Sequence, residues 1–188
     1  MKFRGLLSIL LPGLSLFATF TCASPVSELK AELALLRNLS IFTDWPKTQP
    51  DFSGSNDFKL CTYKDFTAYR EIKHILDASD PPVSVKKKVI KVENIDKLSA
   101  LNRCHAVLLT RLDKTELSNI ISHRGPQSPL LFGSSTGWGE AGIHFNFFLK
   151  PDNRLGFELN MEAMELTGHS PKYQLLNYAK LLQRERRL

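Results

Sequence analysis

The sequence has few of the residues that usually build catalytic or metal centres. Only three of its 188 residues are cysteine, and no Cys-x-x-Cys pair occurs. The five histidines are scattered, with no His-Glu-x-x-His motif, and no glycine-rich loop has the spacing that cradles phosphate. These absences argue against a zinc site, a metalloprotease and a P-loop nucleotide site. We therefore predict neither a metal site nor a cofactor.

Long hydrophobic runs are also missing. The most apolar stretch, from Leu6 to Phe20, is shorter than the roughly 20 residues that a membrane-spanning helix needs. Lys2 and Arg4 precede it and the small residue Ala23 follows it, which is the pattern of a secretory signal peptide. We predict a cleavable signal peptide over residues 1–23, with cleavage near Ala23 and export to the periplasm. A retained membrane anchor is the alternative.

The exported part, residues 24–188, has the size and composition of one globular domain, because the sequence is 43% hydrophobic and 23% charged. Without the two basic residues of the signal peptide, 23 basic residues stand against 19 acidic ones, so the charge is mildly positive. Basic clusters at Lys86–Lys88 and Arg184–Arg187 lack the interleaved aromatic residues of nucleic-acid modules. We predict no nucleic-acid partner, and we interpret the lysine cluster as a solvated strand edge.

The exported chain keeps two cysteines, because Cys22 is removed with the signal peptide. Cys61 and Cys104 then enter an oxidising compartment, where one disulfide is the simplest outcome. Closing a loop of that span stabilises a fold by about 4 kcal/mol on the chain-entropy model. A pair of buried reduced thiols is the alternative.

The spacing of apolar residues predicts an α/β order. Leucines three and four residues apart, beginning at Leu29, predict a helix that ends before Trp45-Pro46. The elements expected after it are strand 58–63, helix 66–79, strand 83–92, strand 105–110, helix 114–123 and strand 130–132. This alternation predicts a single α/β domain, with a mixed and mostly parallel sheet flanked by helices.

The C-terminal part has a different pattern. Apolar and polar residues alternate over 143–149 and again over 155–160, with a turn between them, which predicts an antiparallel hairpin. Asn160 is a suitable N-cap for a following helix that ends at Gly168. Ser170-Pro171 would open a second closing helix.

One short motif raises the question of catalysis. Gly133-Ser134-Ser135-Thr136-Gly137 fits the G-x-S-x-G pattern of a hydrolase nucleophile elbow. Such an elbow needs a helix directly after the serine, but glycine-rich sequence and then the hairpin follow. Asp152 and His169 have the chain order of triad partners, yet nothing places them near Ser135. We predict no catalytic residue and no enzyme activity.

The polar face of the predicted hairpin offers a different kind of site. His144 and Glu158 fall on that face and could meet across it, with His169 nearby. Such a group could line a pocket for a small ligand or form part of an interface. The alternative is that these residues lie on an exposed polar face of the sheet, because the alternation of apolar and polar residues alone produces such a face.

Several segments together resemble a known family. Phe42-Thr43-Asp44-Trp45-Pro46 is followed by Cys104-His105, by Gly142-Ile143-His144-Phe145 and by Arg154-Leu155-Gly156-Phe157-Glu158-Leu159-Asn160. Their order and spacing resemble the YfiR-like family of bacterial periplasmic proteins. The resemblance spans nearly the whole exported chain.

The resemblance implies a regulator. Its characterised member type is a periplasmic inhibitor that contacts the extracytoplasmic part of an inner-membrane diguanylate cyclase. It keeps cyclic-di-GMP low, and an outer-membrane lipoprotein sequesters it. A periplasmic small-ligand sensor is the alternative function, and the sequence leaves the oligomeric state open, including a homodimer.

Overall fold

The computed structural model describes residues 25–46, 57–126 and 128–182. The predicted signal peptide, its cleavage site and the C-terminal arginine cluster lie outside those residues. None of the helices in the described ranges is both long and apolar enough to cross a membrane.

Helices and strands alternate through the first two thirds of the chain. The helices are α1 (Pro25–Ile41), α2 (Phe66–Asp77), α3 (Lys114–Ser122), α4 (Trp138–Ala141), α5 (Met161–Thr167) and α6 (Tyr173–Leu176), with a 3-10 helix over Leu98–Arg103. The strands are β1 (Thr43–Asp44), β2 (Asp57–Tyr63), β3 (Ser84–Val85), β4 (Lys88–Ile95), β5 (Ala106–Leu109), β6 (Leu130–Gly133), β7 (Phe145–Leu149), β8 (Leu155–Asn160), β9 (Ser170–Pro171) and β10 (Lys180–Leu182).

An eight-stranded sheet in the order β10-β8-β7-β6-β5-β2-β4-β3 forms the centre of the described structure. Neighbouring strands are parallel except in two pairs, β7 with β8 and β3 with β4. The short strands β1 and β9 pair with each other, antiparallel, outside this sheet. The predicted fold class, a mixed and mostly parallel sheet with an antiparallel hairpin, is confirmed.

Both faces of the sheet are buried, because β2, β5 and β6 send alternate side chains into two separate cores. The larger core lies under α1 and α2 and includes Leu36, Phe58, Ile72, Phe132 and Phe145. The smaller core lies under α3 and the 3-10 helix and includes Val107, Leu109, Leu117, Ile120 and Leu131. Hydrophobic burial on both faces accounts for the nearly continuous apolar sequence of β5 and β6.

The predicted disulfide is present in the smaller core. Cys61 in β2 is bonded to Cys104, the residue that ends the 3-10 helix, and their Cα atoms are 6.0 Å apart. Both residues are buried. The bridge therefore ties the 3-10 crossover to the strand beside β5.

The sequence interpretation of residues 83–92 as one strand is wrong. A tight turn at Lys86 and Lys87 divides this segment into β3 and β4, and both lysines have positive φ angles, 46° and 71°. Lys86 Nζ donates a 2.7 Å hydrogen bond to Thr43 O. The lysine cluster therefore forms a turn and not a solvated strand edge. Glycine and asparagine, the residues that usually mark such a turn in a sequence, are absent from it.

The prediction for the chain end is partly confirmed. The Asn160 side chain accepts a 2.8 Å hydrogen bond from Ala163 N at the start of α5, and Gly168 ends that helix in the left-handed region. Ser170-Pro171 does not open a helix, because these residues form β9 against β1. The second closing helix, α6, is a single turn, and β10 then adds a parallel strand beside β8.

Candidate functional site

The glycine- and serine-rich segment after β6 folds over the sheet. The expectation that no helix follows the serine is wrong, because α4 forms one turn between Gly137 and Gly142, both in the left-handed region. A Cβ atom on Gly133 would lie 2.6 Å from Trp138 Cε3, so the indole packs directly on this strand end. Asn146 Nδ2 donates a 3.0 Å hydrogen bond to Ser135 O and holds the loop to β7.

The two residues that sequence order offered as partners of Ser135 are engaged elsewhere. Asp152 accepts a 2.8 Å hydrogen bond from Arg154 Nε in the turn between β7 and β8. His169 Nδ1 lies 2.8 Å from Thr167 Oγ1, and its ring packs edge-on against Trp45. These contacts support the prediction that Ser135 is not a nucleophile.

His144 and His169 do come together, through a shared threonine. Leu131 N donates a 3.0 Å hydrogen bond to His144 Nδ1, so the His144 proton is on Nε2, which lies 2.9 Å from Thr167 Oγ1. Thr167 Oγ1 in turn donates to Ala163 O at 3.0 Å. Its oxygen can then accept from both imidazoles, which places the His169 proton on Nδ1 and leaves His169 Nε2 without a hydrogen-bond partner in the described part of the chain.

Burial keeps both of these histidines neutral. Burial, followed by the charges of His169 and Arg124, holds the pKa of His144 well below its usual 6.5. Burial alone lowers the pKa of His169 to about 4. A proton on His144 Nδ1 would also break its bond with Leu131 N. The pair is therefore a neutral hydrogen-bonded group that links β6, the start of β7 and the end of α5, rather than a proton donor at neutral pH.

Glu158 does not join the histidines. It lies between Asn146 and Lys180 on three neighbouring strands, accepting from Asn146 Nδ2 and from Lys180 Nζ, each at 2.8 Å. The alternative of an exposed polar face is wrong for these positions, because His144, Glu158 and His169 are all buried. Neighbouring segments, which include a loop, a helix and β10, cover this polar face of the sheet. The alternating sequence pattern alone predicts that the face would be exposed to solvent.

A cavity of about 500 Å³ opens beside this row of polar residues. Its walls include Ser134, Asn146, Glu158 and Lys180, together with Glu28 and Glu32 from α1. Glu32 is only 5% exposed. Its pKa is raised chiefly by burial and further by the nearby charge of Glu28, while a hydrogen bond with Ser134 acts in the opposite direction.

Sequence reasoning missed the two α1 carboxylates of this cavity. Glu28 and Glu32 are four residues apart, a spacing that brings like charges together on a helix surface and slightly destabilises it. That unfavourable spacing was the feature of the sequence that could have drawn attention to these two carboxylates. It could not show that Ser134 would bury Glu32.

An apolar groove of about 480 Å³ lies on a different part of the surface, between α1, β8 and α6. Leu35, Phe42, Phe157, Leu175 and Tyr178 are among the residues that line it. Tyr178 is 76% exposed and Phe42 38% exposed, so two aromatic side chains of the groove are open to solvent. The groove therefore has the composition of a protein-binding surface.

The described residues contain no group of three or more His, Cys, Asp or Glu side chains arranged to hold a metal ion.

Comparison with known proteins places this fold in a family. A profile of the YfiR/HmsC-like family matches residues 28–180, which include every strand of the central sheet except β10, of which only Lys180 is matched. The chain belongs to the YfiR/HmsC-like family. This family comprises regulatory, non-enzymatic periplasmic proteins associated with cyclic-di-GMP signalling, and the predicted resemblance is confirmed.

Two solved structures match parts of this YfiR/HmsC-like chain. A conserved domain protein from Vibrio cholerae O1 biovar eltor str. N16961 has a TM-score of 0.50 at 11% identity, covering 85% of this chain and 60% of its own. The ABC domain in complex with L-Trp from Streptococcus pneumonia has a TM-score of 0.46 at 8% identity, covering 68% and 56%. The chain thus spans less than two thirds of either structure. No curated protein matches it.

Proposed function

We propose that this protein is a periplasmic regulator that binds the extracytoplasmic part of an inner-membrane diguanylate cyclase and inhibits cyclic-di-GMP synthesis. The observation that carries the proposal is the family match over residues 28–180. Membership in the family accounts for the periplasmic location and for the link to cyclic-di-GMP signalling. The identity of the cyclase as target, and inhibition as the outcome, are the parts that we add.

The disulfide supports a role in the envelope. Cys61 and Cys104 are bonded within the smaller core, and such a bridge forms and persists in an oxidising compartment. Because the bridge stabilises the fold, reduction would lower the population of binding-competent protein. Inhibition of the cyclase is then sensitive to the redox state of the envelope.

The apolar groove between α1, β8 and α6 supports a protein partner. Phe42 and Tyr178 supply exposed aromatic area at its rim, and aromatic residues are enriched at the centres of protein interfaces. We assign the cyclase contact to this groove. An outer-membrane lipoprotein that competes for the same surface would release the cyclase, in proportion to its local concentration and affinity.

The first test is genetic. Deleting the gene should raise cellular cyclic-di-GMP, and re-expression of the exported protein should restore the original level. Unchanged cyclic-di-GMP in the deletion strain, measured by mass spectrometry, would refute the proposed function.

The second test addresses the surface. Tyr178→Asp places a charge in the groove without disturbing the core, because this side chain is 76% exposed. We expect it to lose binding to the purified extracytoplasmic part of the cyclase, and complementation with it. Phe66→Asp is the matched control, since Phe66 is 60% exposed on α2 and does not line the groove. Equal behaviour of the two variants would exclude the groove as the contact surface.

A further inference from the structure

The cavity beside Glu158 is acidic in a protein whose overall charge is positive. Four carboxylates line it, those of Glu28, Glu32, Glu140 and Glu158, against the single ammonium group of Lys180. Lys180 is already paired with Glu158 at 2.8 Å. Neither Glu28 nor Glu32 forms an ion pair with any described residue, so the α1 wall carries negative charge that the fold does not neutralise.

Part of the cavity lining is apolar. Phe147, Phe148, Leu149 and Leu155, from the two strands of the β7–β8 hairpin, line it. Leu149 is 55% exposed, which leaves this wall accessible at the mouth of the cavity. A ligand that fits both walls needs a positive charge at one end and an apolar body at the other.

A buried acceptor at the cavity gives an independent observation. Asn146 lines the cavity and is only 2% exposed, and its amide nitrogen already donates to Ser135 O and to Glu158. Its Oδ1 atom has no hydrogen-bond partner among the residues that the structure describes. Buried polar atoms are nearly always paired, so an N–H donor from a bound molecule is the kind of group that this atom lacks.

We propose that the cavity binds a small organic cation, an ammonium or guanidinium group on an apolar frame, with Glu28 and Glu32 holding its charge. The apolar frame packs on the hairpin wall, which includes the ring of Phe148. Binding also relieves the repulsion between the two α1 carboxylates. The proposal does not require that the protein inhibit a cyclase, since the cavity and the apolar groove share one lining residue, Leu155, and differ in the others.

Isothermal titration calorimetry with two matched probes tests the proposal. Phenethylamine carries an ammonium group and a phenyl ring, and 3-phenylpropionate has the same ring with a carboxylate. We expect the purified full-length exported protein to bind phenethylamine and not 3-phenylpropionate. No heat of binding at millimolar phenethylamine, or equal binding of both probes, would overturn the proposal.

Two variants locate the site. Glu32→Gln and Glu28→Gln should each weaken phenethylamine binding about tenfold, the effect of losing one charge-assisted contact. Glu28 is exposed, so its replacement leaves folding intact even if Glu32→Gln perturbs it. Glu93→Gln, an exposed carboxylate on β4 outside the cavity, is the matched control and should bind as the parent does. Parent-like affinity in both α1 variants, or equal loss in the control, would place the cation elsewhere and refute the assignment.

Discussion

Acidification should destabilise this protein through its buried histidines. His169 has a pKa lowered to about 4 in the folded protein, against 6.5 in an unfolded chain. The unfolded state therefore binds the proton first, so this contribution to stability is fully present above pH 6.5 and is lost as the pH falls toward 4. The full shift corresponds to about 3 kcal/mol, and about 2 kcal/mol of it is lost between pH 7 and pH 5.

His169→Asn isolates this effect. The asparagine amide can replace the Nδ1–H group that faces Thr167 Oγ1, but it does not titrate. In urea unfolding at a series of pH values, the free energy of unfolding of the variant should fall about 2 kcal/mol less than that of the parent between pH 7 and pH 5. His144, whose pKa is lowered in the same direction, remains in both proteins, and the largest cause of its shift, burial, is unchanged by the substitution.

His74→Asn, on the exposed side of α2, is the control and should follow the parent curve. Parallel pH profiles for the parent and His169→Asn would refute the reasoning, because they would show that His169 binds its proton equally in the folded and unfolded states.

Three further predictions concern stability and catalysis. Replacing both Cys61 and Cys104 by serine should lower the free energy of unfolding in oxidising buffer by about 4 kcal/mol, from the 43-residue separation of the bridge; an unchanged urea midpoint would contradict this. Gly139→Ala should lower the free energy of unfolding by about 1–3 kcal/mol, because its Cβ would lie 2.5 Å from Glu158 Oε2. Gly125→Ala is the matched control, because no described atom lies within 4 Å of a Cβ at Gly125. Equal thermal midpoints of the two variants would refute the packing argument. A fluorophosphonate probe should leave the folded protein unlabelled, and labelling that Ser135→Ala abolishes would show that the serine is a nucleophile after all.

Local patterns in the sequence were sufficient for much of the fold. Leucine spacing predicted α1, apolar runs predicted β5 and β6, and alternation predicted the β7–β8 hairpin, because each of these patterns reflects a face that must be buried. Asn160 and Gly168 marked the two ends of α5, since capping depends on residues within one turn of the helix.

The errors fall where distant segments decide the local structure. The turn at Lys86 and Lys87 has no glycine or asparagine, and Lys86 is held by Thr43 O from another part of the chain. Ser170-Pro171 looked like a helix start but pairs with β1, and the leucines of β10 fitted a helix as well as a strand. Short segments of this kind take the structure that their partners impose.

The candidate site was also predicted only in part from the sequence, because distant segments decide how its residues are arranged. The sequence placed His144, Glu158 and His169 on one polar surface because alternation and chain order bring them near each other. The structure separates them, since Thr167 links the two histidines below the sheet, whereas Glu158 bonds to Asn146 and Lys180. Hydrogen-bond partners on other strands determine this separation, and no local sequence pattern encodes those partners.

By itself, the sequence determined the α/β class and the family resemblance, and it predicted the disulfide. These properties depend on residue types and on their spacing along the chain. Only the tertiary structure decided that the glycine- and serine-rich loop lies over Asn146, that it buries Glu32 through Ser134, and that an acidic cavity results. Burial and charge at such a place depend on which distant segments pack together, and packing is a property of the whole fold.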